Sequence, residues 1–304
     1  MTGTPERTAG GPVVVGVDES DSARDAVRWA AAEAAHRGAP LRLVAAFAPI
    51  PAGHVGNPGL GTSYRRVMTE GARAVLTSAA ELAAQVAPGV ATEAELRTGF
   101  PVPVLLDESE RAVLTVVGSR GLGGFTGLLV GSVAVALAAR GGSPVTVVRG
   151  DAGDGDAAEG DRPVVVGVDG SPTSESALAL AYEEAALRSA PLVAVHTWLD
   201  DMLEPALAPV IDWAALEAEE SALLAQRLAG WSEKYPDVEV RRLVVRDRPA
   251  RALVAESAGA ALVVVGSRGR GGAAGLLLGS VSHALLQHAH CPVLVARPDG
   301  GESG

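Results

Sequence analysis

Short runs of Val, Leu and Ala alternate along this chain with longer stretches in which apolar residues recur every three to four positions. The short runs read as strands buried on both faces, and the longer stretches as helices with one apolar stripe. In the first half the pattern predicts a strand over 13–18, a helix over about 22–37 and a strand over 41–47. A Gly/Pro-rich loop, a helix over about 64–86 and a strand over 92–98 follow. Next come a short helix near 102–110, a strand over 112–118, a glycine loop, a helix over 132–140 and a last strand over 145–149. The second half repeats this order from 164 to 297, with a long helix around 212–235. Apolar strands separated by helices imply an α/β fold: a parallel, doubly wound, Rossmann-like sheet with right-handed crossovers.

The repetition extends to the residues themselves. Pro12-Val-Val-Val-Gly-Val-Asp18 returns as Pro163-Val-Val-Val-Gly-Val-Asp169, 151 positions later. Val116-Val-Gly-Ser-Arg-Gly121 returns as Val264-Val-Gly-Ser-Arg-Gly269, and Ser143-Pro-Val-Thr-Val-Val-Arg149 is answered by Cys291-Pro-Val-Leu-Val-Ala-Arg297, both 148 later. The change of three places a small length difference between the first and fourth strands, in the loop after the second. Between the copies, residues 150–161 read GDAGDGDAAEGD, a composition without large apolar residues that marks a solvated linker. The expected organisation is therefore two tandem domains, 1–150 and 163–304, joined by a linker over 151–162. The first dozen residues and the tail from Asp299 share the linker's character.

Composition narrows the chemistry. The chain has 304 residues and a net charge of −11, with no basic stripe to meet a phosphate backbone, so nucleic acid is not expected as a partner. The opening MTGTPERTAGGP has no apolar signal region and no later run is long enough to span a membrane, so a cytoplasmic protein without a membrane partner is expected. One cysteine, Cys291, excludes an internal disulfide framework and reads as a small core residue. The only lysine is Lys234, so no Gly-Lys-Ser/Thr phosphate loop exists. Any phosphate site must work with backbone N–H groups, hydroxyls, arginine or a metal.

Such a site is suggested by Gly-x2-Gly-x9-Gly-Ser, which occurs once in each copy: Gly118, Gly121, Gly131-Ser132 and Gly266, Gly269, Gly279-Ser280. Each loop leaves the carboxyl end of a buried strand, where open α/β sheets bind ligands. Its glycines admit an anion close to the backbone, and Gly131-Ser132 and Gly279-Ser280 open a helix whose free N–H groups and dipole favour phosphate. Ser132 and Ser280 can cap the helix, bond a phosphate oxygen or ligate magnesium. Ser119 and Ser267 complete the turns, and Arg120 and Arg268 can offset charge in place of lysine. Gly123, Gly124, Gly271 and Gly272 make the loops pliable. Glycine also serves turns that bind nothing. Asp18 and Asp169 end the first strands on the same edge. They can accept a bond from an adenine amino group or a ribose hydroxyl, or simply cap the next helix together with Ser20 and Ser171.

Val-Val-Gly-Val-Asp, Val-Val-Gly-Ser-Arg-Gly, the spacers ending Leu-Val-Gly-Ser-Val and Leu-Leu-Gly-Ser-Val, and His-Cys-Pro-Val-Leu-Val resemble the universal stress protein family over nearly the whole chain. The loops are similar to its ATP-binding branch. The resemblance implies two adenine nucleotide α-hydrolase-like domains, each holding ATP with Mg²⁺. Gly16 and Asp18 would contact the adenosine moiety, and Gly118, Gly121, Gly131, Ser132 and Val133 the ribose and phosphates. In the second copy Gly167, Asp169, Gly266, Gly269, Gly279, Ser280 and Val281 would take these parts. The adenine-facing position after the second strand would fall near Ala48 and Thr197. Single-domain members are similar to dimers built through the last strand, which implies an intramolecular pseudo-dimer here, with a homodimer of the whole chain as a further possibility.

Rival chemistry is weaker. Gly269-x-Gly271-x-x-Ala274 matches a dinucleotide fingerprint, but the first copy has Thr126 at the place of Ala274. His283, His288 and His290 lack partner acids or cysteines for zinc and have no counterparts in the first copy. No nucleophile, base and acid recur beside the loops in both copies, so no enzymatic activity beyond weak ATP hydrolysis is expected. The leading reading is a nucleotide-responsive regulatory module. The alternative is a slow ATPase or an enzyme of ATP-dependent phosphoryl or adenylyl transfer.

Overall fold

A computed structural model describes residues 10–48, 58–121, 130–149, 160–198, 212–270 and 277–297, with the side chains of 58–65 left aside. Gly123, Gly124, Gly271 and Gly272, the termini and most of the linker lie outside the described residues. The chain divides into two compact units, 1–152 and 153–304.

The first unit runs β1 (Val13–Gly16), α1 (Asp21–Arg37), β2 (Leu41–Phe47), α2 (Pro58–Val86), β3 (Thr92–Thr98), α3 (Pro101–Ser109), β4 (Leu114–Gly118), α4 (Ser132–Arg140) and β5 (Val145–Val148). Its strands are ordered β3-β2-β1-β4-β5, and the β1–β2, β2–β3, β1–β4 and β4–β5 pairs are all parallel. The chain winds outward through β2 and β3, then crosses back to β4 and β5. With right-handed crossovers this sends α1 and α2 to one face and α3 and α4 to the other. Within each pair the helices touch. The order reverses between β1 and β4, which makes their carboxyl ends the natural ligand crevice of such a sheet.

Sequence accounts for each element. Val13, Val14 and Val15 are fully buried, as a central parallel strand requires. On α1 the buried positions Ala23, Ala26, Val27, Ala30, Ala31 and Ala34 recur at helical spacing, and their small side chains let the helix lie close to the sheet. Ser20 caps α1, its hydroxyl accepting the Ala23 N–H at 3.1 Å, and Gly38 ends it in the left-handed conformation at φ 60°. Edge strand β3 carries Glu93, Glu95 and Arg97, charges that discourage pairing with a further chain. Glu108 of α3, 8% exposed, accepts bonds from both Arg42 of β2 and Arg97 of β3. Helix α2 begins at Pro58, earlier than the periodicity indicates. Proline suits a first helical turn, and Gly59 and Gly61, poor helix formers, disguise the start in the sequence.

The second unit repeats the plan with β6 (Val164–Gly167), α5 (Pro172–Arg188), β7 (Leu192–Thr197), α6 (Trp213–Lys234), β8 (Val240–Val245), α7 (Pro249–Glu256), β9 (Leu262–Gly266), α8 (Ser280–His288) and β10 (Val293–Ala296). Its strand order is β8-β7-β6-β9-β10, with the pairs again parallel. The registers locate the length difference. Val13 pairs with Leu41 and Val164 with Leu192, a shift of 151 for both strands. Leu41 pairs with Thr92 and Leu192 with Val240, so the shift is already 148 at the third strand. Ser189 stands where the first unit has Gly38 and adopts the same left-handed conformation at φ 50°.

Candidate functional site

In the second unit the carboxyl ends of β6, β7 and β9 and the starts of α7 and α8 surround a cavity of about 360 Å³. That volume falls within the range of small-molecule sites. Gly167, Asp169, Gly266, Arg268, Gly269, Gly279, Ser280 and Val281 line it together, although nearly 100 residues separate Asp169 from the glycine loop. Val168, Val195, Leu253 and Val265 supply apolar wall, and Thr197, Pro249 and Ser282 join them. Ser267 stays behind the lining: it is 1% exposed, its N–H bonds Ala296 O at 2.9 Å and its carbonyl accepts the Gly279 N–H at 2.8 Å. Ser119 is placed alike in the first unit, bonding Val148 O and accepting from Gly131 N–H at 2.7 Å.

Asp169 does not cap α5; Ser171 does, accepting the Ser174 N–H at 3.2 Å. The Asp169 carboxylate instead accepts the Ser171 N–H at 2.9 Å and, on its other oxygen, the Arg270 N–H at 3.0 Å. It thereby ties the end of β6 to the glycine loop. Burial pushes its carboxyl up, but the Ser171 and Arg270 hydrogen bonds outweigh this and hold it below the ordinary Asp value. Asp18 accepts the Ser20 N–H at 3.0 Å and the Ser20 hydroxyl at 2.5 Å, and Ser20 again is the helix cap.

The glycines of the motif fall into distinct classes. A Cβ on Gly118 would stand 2.6 Å from the backbone of Ser22, and one on Gly266 2.9 Å from that of Thr173. These two glycines let the fourth strand of each unit pass the helix that follows its first strand. A Cβ on Gly16 would strike Leu105 at 2.8 Å, and one on Gly167 would strike Leu253 at 2.9 Å. Gly121 and Gly269 leave room for the carboxylates of Asp18 and Asp169, each 2.6 Å from the added atom. Gly131 is different. Its φ of −75° suits any residue, and its Cβ would meet nothing nearer than Ser119 O at 3.5 Å, an ordinary contact. Gly279 shares the conformation, at φ −72°, but is tighter, since its Cβ would stand 3.3 Å from Arg268 Cα and that backbone would have to give slightly. Both stand at the N-terminus of a nine-residue helix that no side chain caps. Ser132 and Ser280 are exposed, and Val133 and Val281 half-buried, in the first turn.

Other residues of the site escape motif reading. The Ser22 hydroxyl accepts the Arg120 N–H at 3.1 Å, and the Thr173 hydroxyl donates to Arg268 O at 2.5 Å, so each glycine loop is stitched to the first helix of its unit, α1 or α5. A hydroxyl at the same place in both copies was the available signal. His196, buried at the end of β7, bridges Val168 O at 2.7 Å and Glu220 of α6 at 2.9 Å. The register also corrects one pairing. Val17 N–H bonds Val44 O and Val168 N–H bonds Val195 O, which sets Thr197 level with Ala46, two residues before Ala48.

The model of the family described as "Universal stress protein family" matches residues 11–149 and 161–297. The chain belongs to the universal stress protein family. Universal stress protein Rv2005c of Mycobacterium tuberculosis is 43% identical over 299 residues, covering 94% of this chain and 96% of that one. Universal stress protein Rv2623 of the same organism is 43% identical over 291 residues, with the same coverage. A universal stress protein of Archaeoglobus fulgidus, solved by crystallography, shares the fold over 98% of this chain and all of its own, at a TM-score of 0.71 and 20% identity. Among the described residues of this universal stress protein, no helix is long and apolar enough to cross a membrane, and no three His, Cys, Asp or Glu side chains gather as a metal site.

Proposed function

We propose that each unit binds one adenine nucleotide, ATP with Mg²⁺, and that the chain is a nucleotide-responsive regulatory module with little or no hydrolysis. The observation that carries this is Gly131. The fold demands glycine at 118, where a Cβ would strike backbone, and crowds one against side chains at 16 and 121, but at 131 neither φ nor sterics asks for it. For the helix alone, Ser, Asn or Asp would cap slightly better. A Cβ there would stand between the turn at Ser119–Gly121 and the first N–H groups of α4, the gap in which a phosphate would be cradled. Gly279 repeats the arrangement beside the cavity of the second unit.

The remaining chemistry fits an adenosine phosphate. Uncapped helix starts favour anions, and Arg120 or Arg268 adds positive charge without lysine. The Asp18 and Asp169 carboxylates are acceptors, suited to a base amino group or ribose hydroxyl and not to phosphate. The exposed hydroxyls of Ser132 and Ser280 would reach a magnesium ion held chiefly by phosphate oxygens. Asp169 makes a poor general base, because two N–H donors already stabilise its anion. Calorimetric titration with Mg-ATP tests the reading. The wild type should bind, and Gly131→Leu/Gly279→Leu should lose at least a hundredfold in affinity while keeping a cooperative thermal transition. Wild-type affinity in that double variant would refute it.

A further inference from the structure

The first unit holds another cavity, about 290 Å³, on the opposite face of the sheet from α3 and α4, between α1 and α2. Ala23, Val27, Val75 and Ala79 line its sides, and Asp18 and Glu19 lie at one end. The second unit shows what such a crevice accommodates. At the position of Ala79, α6 carries Arg227, whose guanidinium lies over Gly170 and bonds Glu175 at 2.9 Å. A Cβ on Gly170 would stand 2.8 Å from Arg227 Nη1. The second unit therefore fills this place with a guanidinium on an aliphatic stem from its own chain.

In the first unit that side chain is missing, Glu19 adds a carboxylate, and Arg24 stands at the position of Arg227's partner Glu175. Ala79 replaces Arg227, and Glu19 stands at the position of Gly170. Gly71, Val75 and Ser78, each smaller, replace Glu219, Leu223 and Gln226. Glycine inside a helix costs about 1 kcal/mol relative to alanine. Nothing in the fold demands it at Gly71, where an added Cβ would meet only Glu19 Oε1 at 3.9 Å. Arg24 also lines the cavity, but its guanidinium pairs with Asp21 at 2.8 Å. Among the described residues Glu19 forms no ion pair.

We propose that this crevice of the first unit is a binding site for a small organic cation of the alkylguanidinium type. The charged head would lie at Glu19, and the alkyl chain along Ala23, Val27, Val75 and Ala79, the place Arg227 takes in the other unit. Apart from Asp18, which also follows β1 beside Gly121, its residues are separate from those given to the nucleotide. Amide chemical shifts of the full-length chain, followed during titration with n-butylguanidinium, test it, with n-butanol as the uncharged control. Saturable shifts are expected at Glu19, Gly71 and Ala79. They should vanish in Ala79→Arg, which supplies the guanidinium from within, and need at least tenfold more ligand in Glu19→Gln. Should Ala79→Arg fail to fold, Glu19→Gln alone decides. Absence of saturable shifts in the wild type, equal binding of n-butanol, or unchanged affinity in Glu19→Gln would each overturn the proposal.

Discussion

Two glycines of one motif should respond in opposite ways to the same added methyl group. Gly118→Ala places a Cβ 2.6 Å from the carbonyl carbon and oxygen of Ser22, near the start of α1. Backbone cannot rotate aside as a flexible side chain can, so β4 or α1 must shift, a strain of about 3 kcal/mol at the upper end of ordinary overpacking. Removing glycine from the unfolded chain returns about 0.4–1 kcal/mol, leaving a net loss of about 2 kcal/mol. Gly131→Ala gains the same unfolded-state benefit and meets only a 3.5 Å contact, while alanine is a poorer helix cap than glycine. The two small effects oppose each other, and stability should stay within about 1 kcal/mol of the wild type. For a unit of this size each kcal/mol moves the melting temperature by about 2–4 °C. Thermal scans should therefore show a fall of about 4–8 °C for Gly118→Ala and less than about 4 °C for Gly131→Ala. Nucleotide affinity should fall in Gly131→Ala despite its intact fold. Equal destabilisation by both variants would show that Gly131 is a structural glycine after all.

The remaining predictions concern electrostatics and turnover. Burial pushes the Glu108 carboxyl up, but Arg42 and Arg97 outweigh it and hold it below the usual Glu value. Its contribution to stability is then complete above the unfolded pKa, about 4.3, and lost as pH falls through the folded one. Glu108→Ala takes one carboxylate from Arg42 and Arg97, while Glu93 and Glu95 still hold Arg42, and should cost about 2 kcal/mol at pH 7 by urea unfolding; an equal cost at pH 2.5 would refute the charge argument. ATP turnover should stay below about one per second, and faster steady hydrolysis would move the protein into the range of ordinary enzymes.

Fold and site differ in how far they can be read from sequence. The Val-rich runs and the intervening helical periodicity are local, and β2, β3 and α4 carry the expected ends because their patterns stop sharply at Gly, Pro or charge. The start of α2 was hidden because Gly59 and Gly61 argue against a helix that Pro58 begins. The purpose of each glycine was not legible either. Gly16 faces Leu105, Gly118 faces Ser22 and Gly121 faces Asp18, neighbours 89 to 103 positions away, and only the crossing of strands and helices brings them together. The Ala48–Thr197 pairing slipped because the three-residue difference between copies lies just beyond β2 and β7, and only hydrogen-bond register shows which side of it a residue occupies.

The number of nucleotides bound per chain tests the central claim most directly. Native mass spectrometry of the purified chain with excess Mg-ATP should count two adenine nucleotides for the wild type. Gly131→Leu and Gly279→Leu should each retain one, and the double variant none. A wild type that stays free of nucleotide, or a double variant that still carries two, would contradict the account.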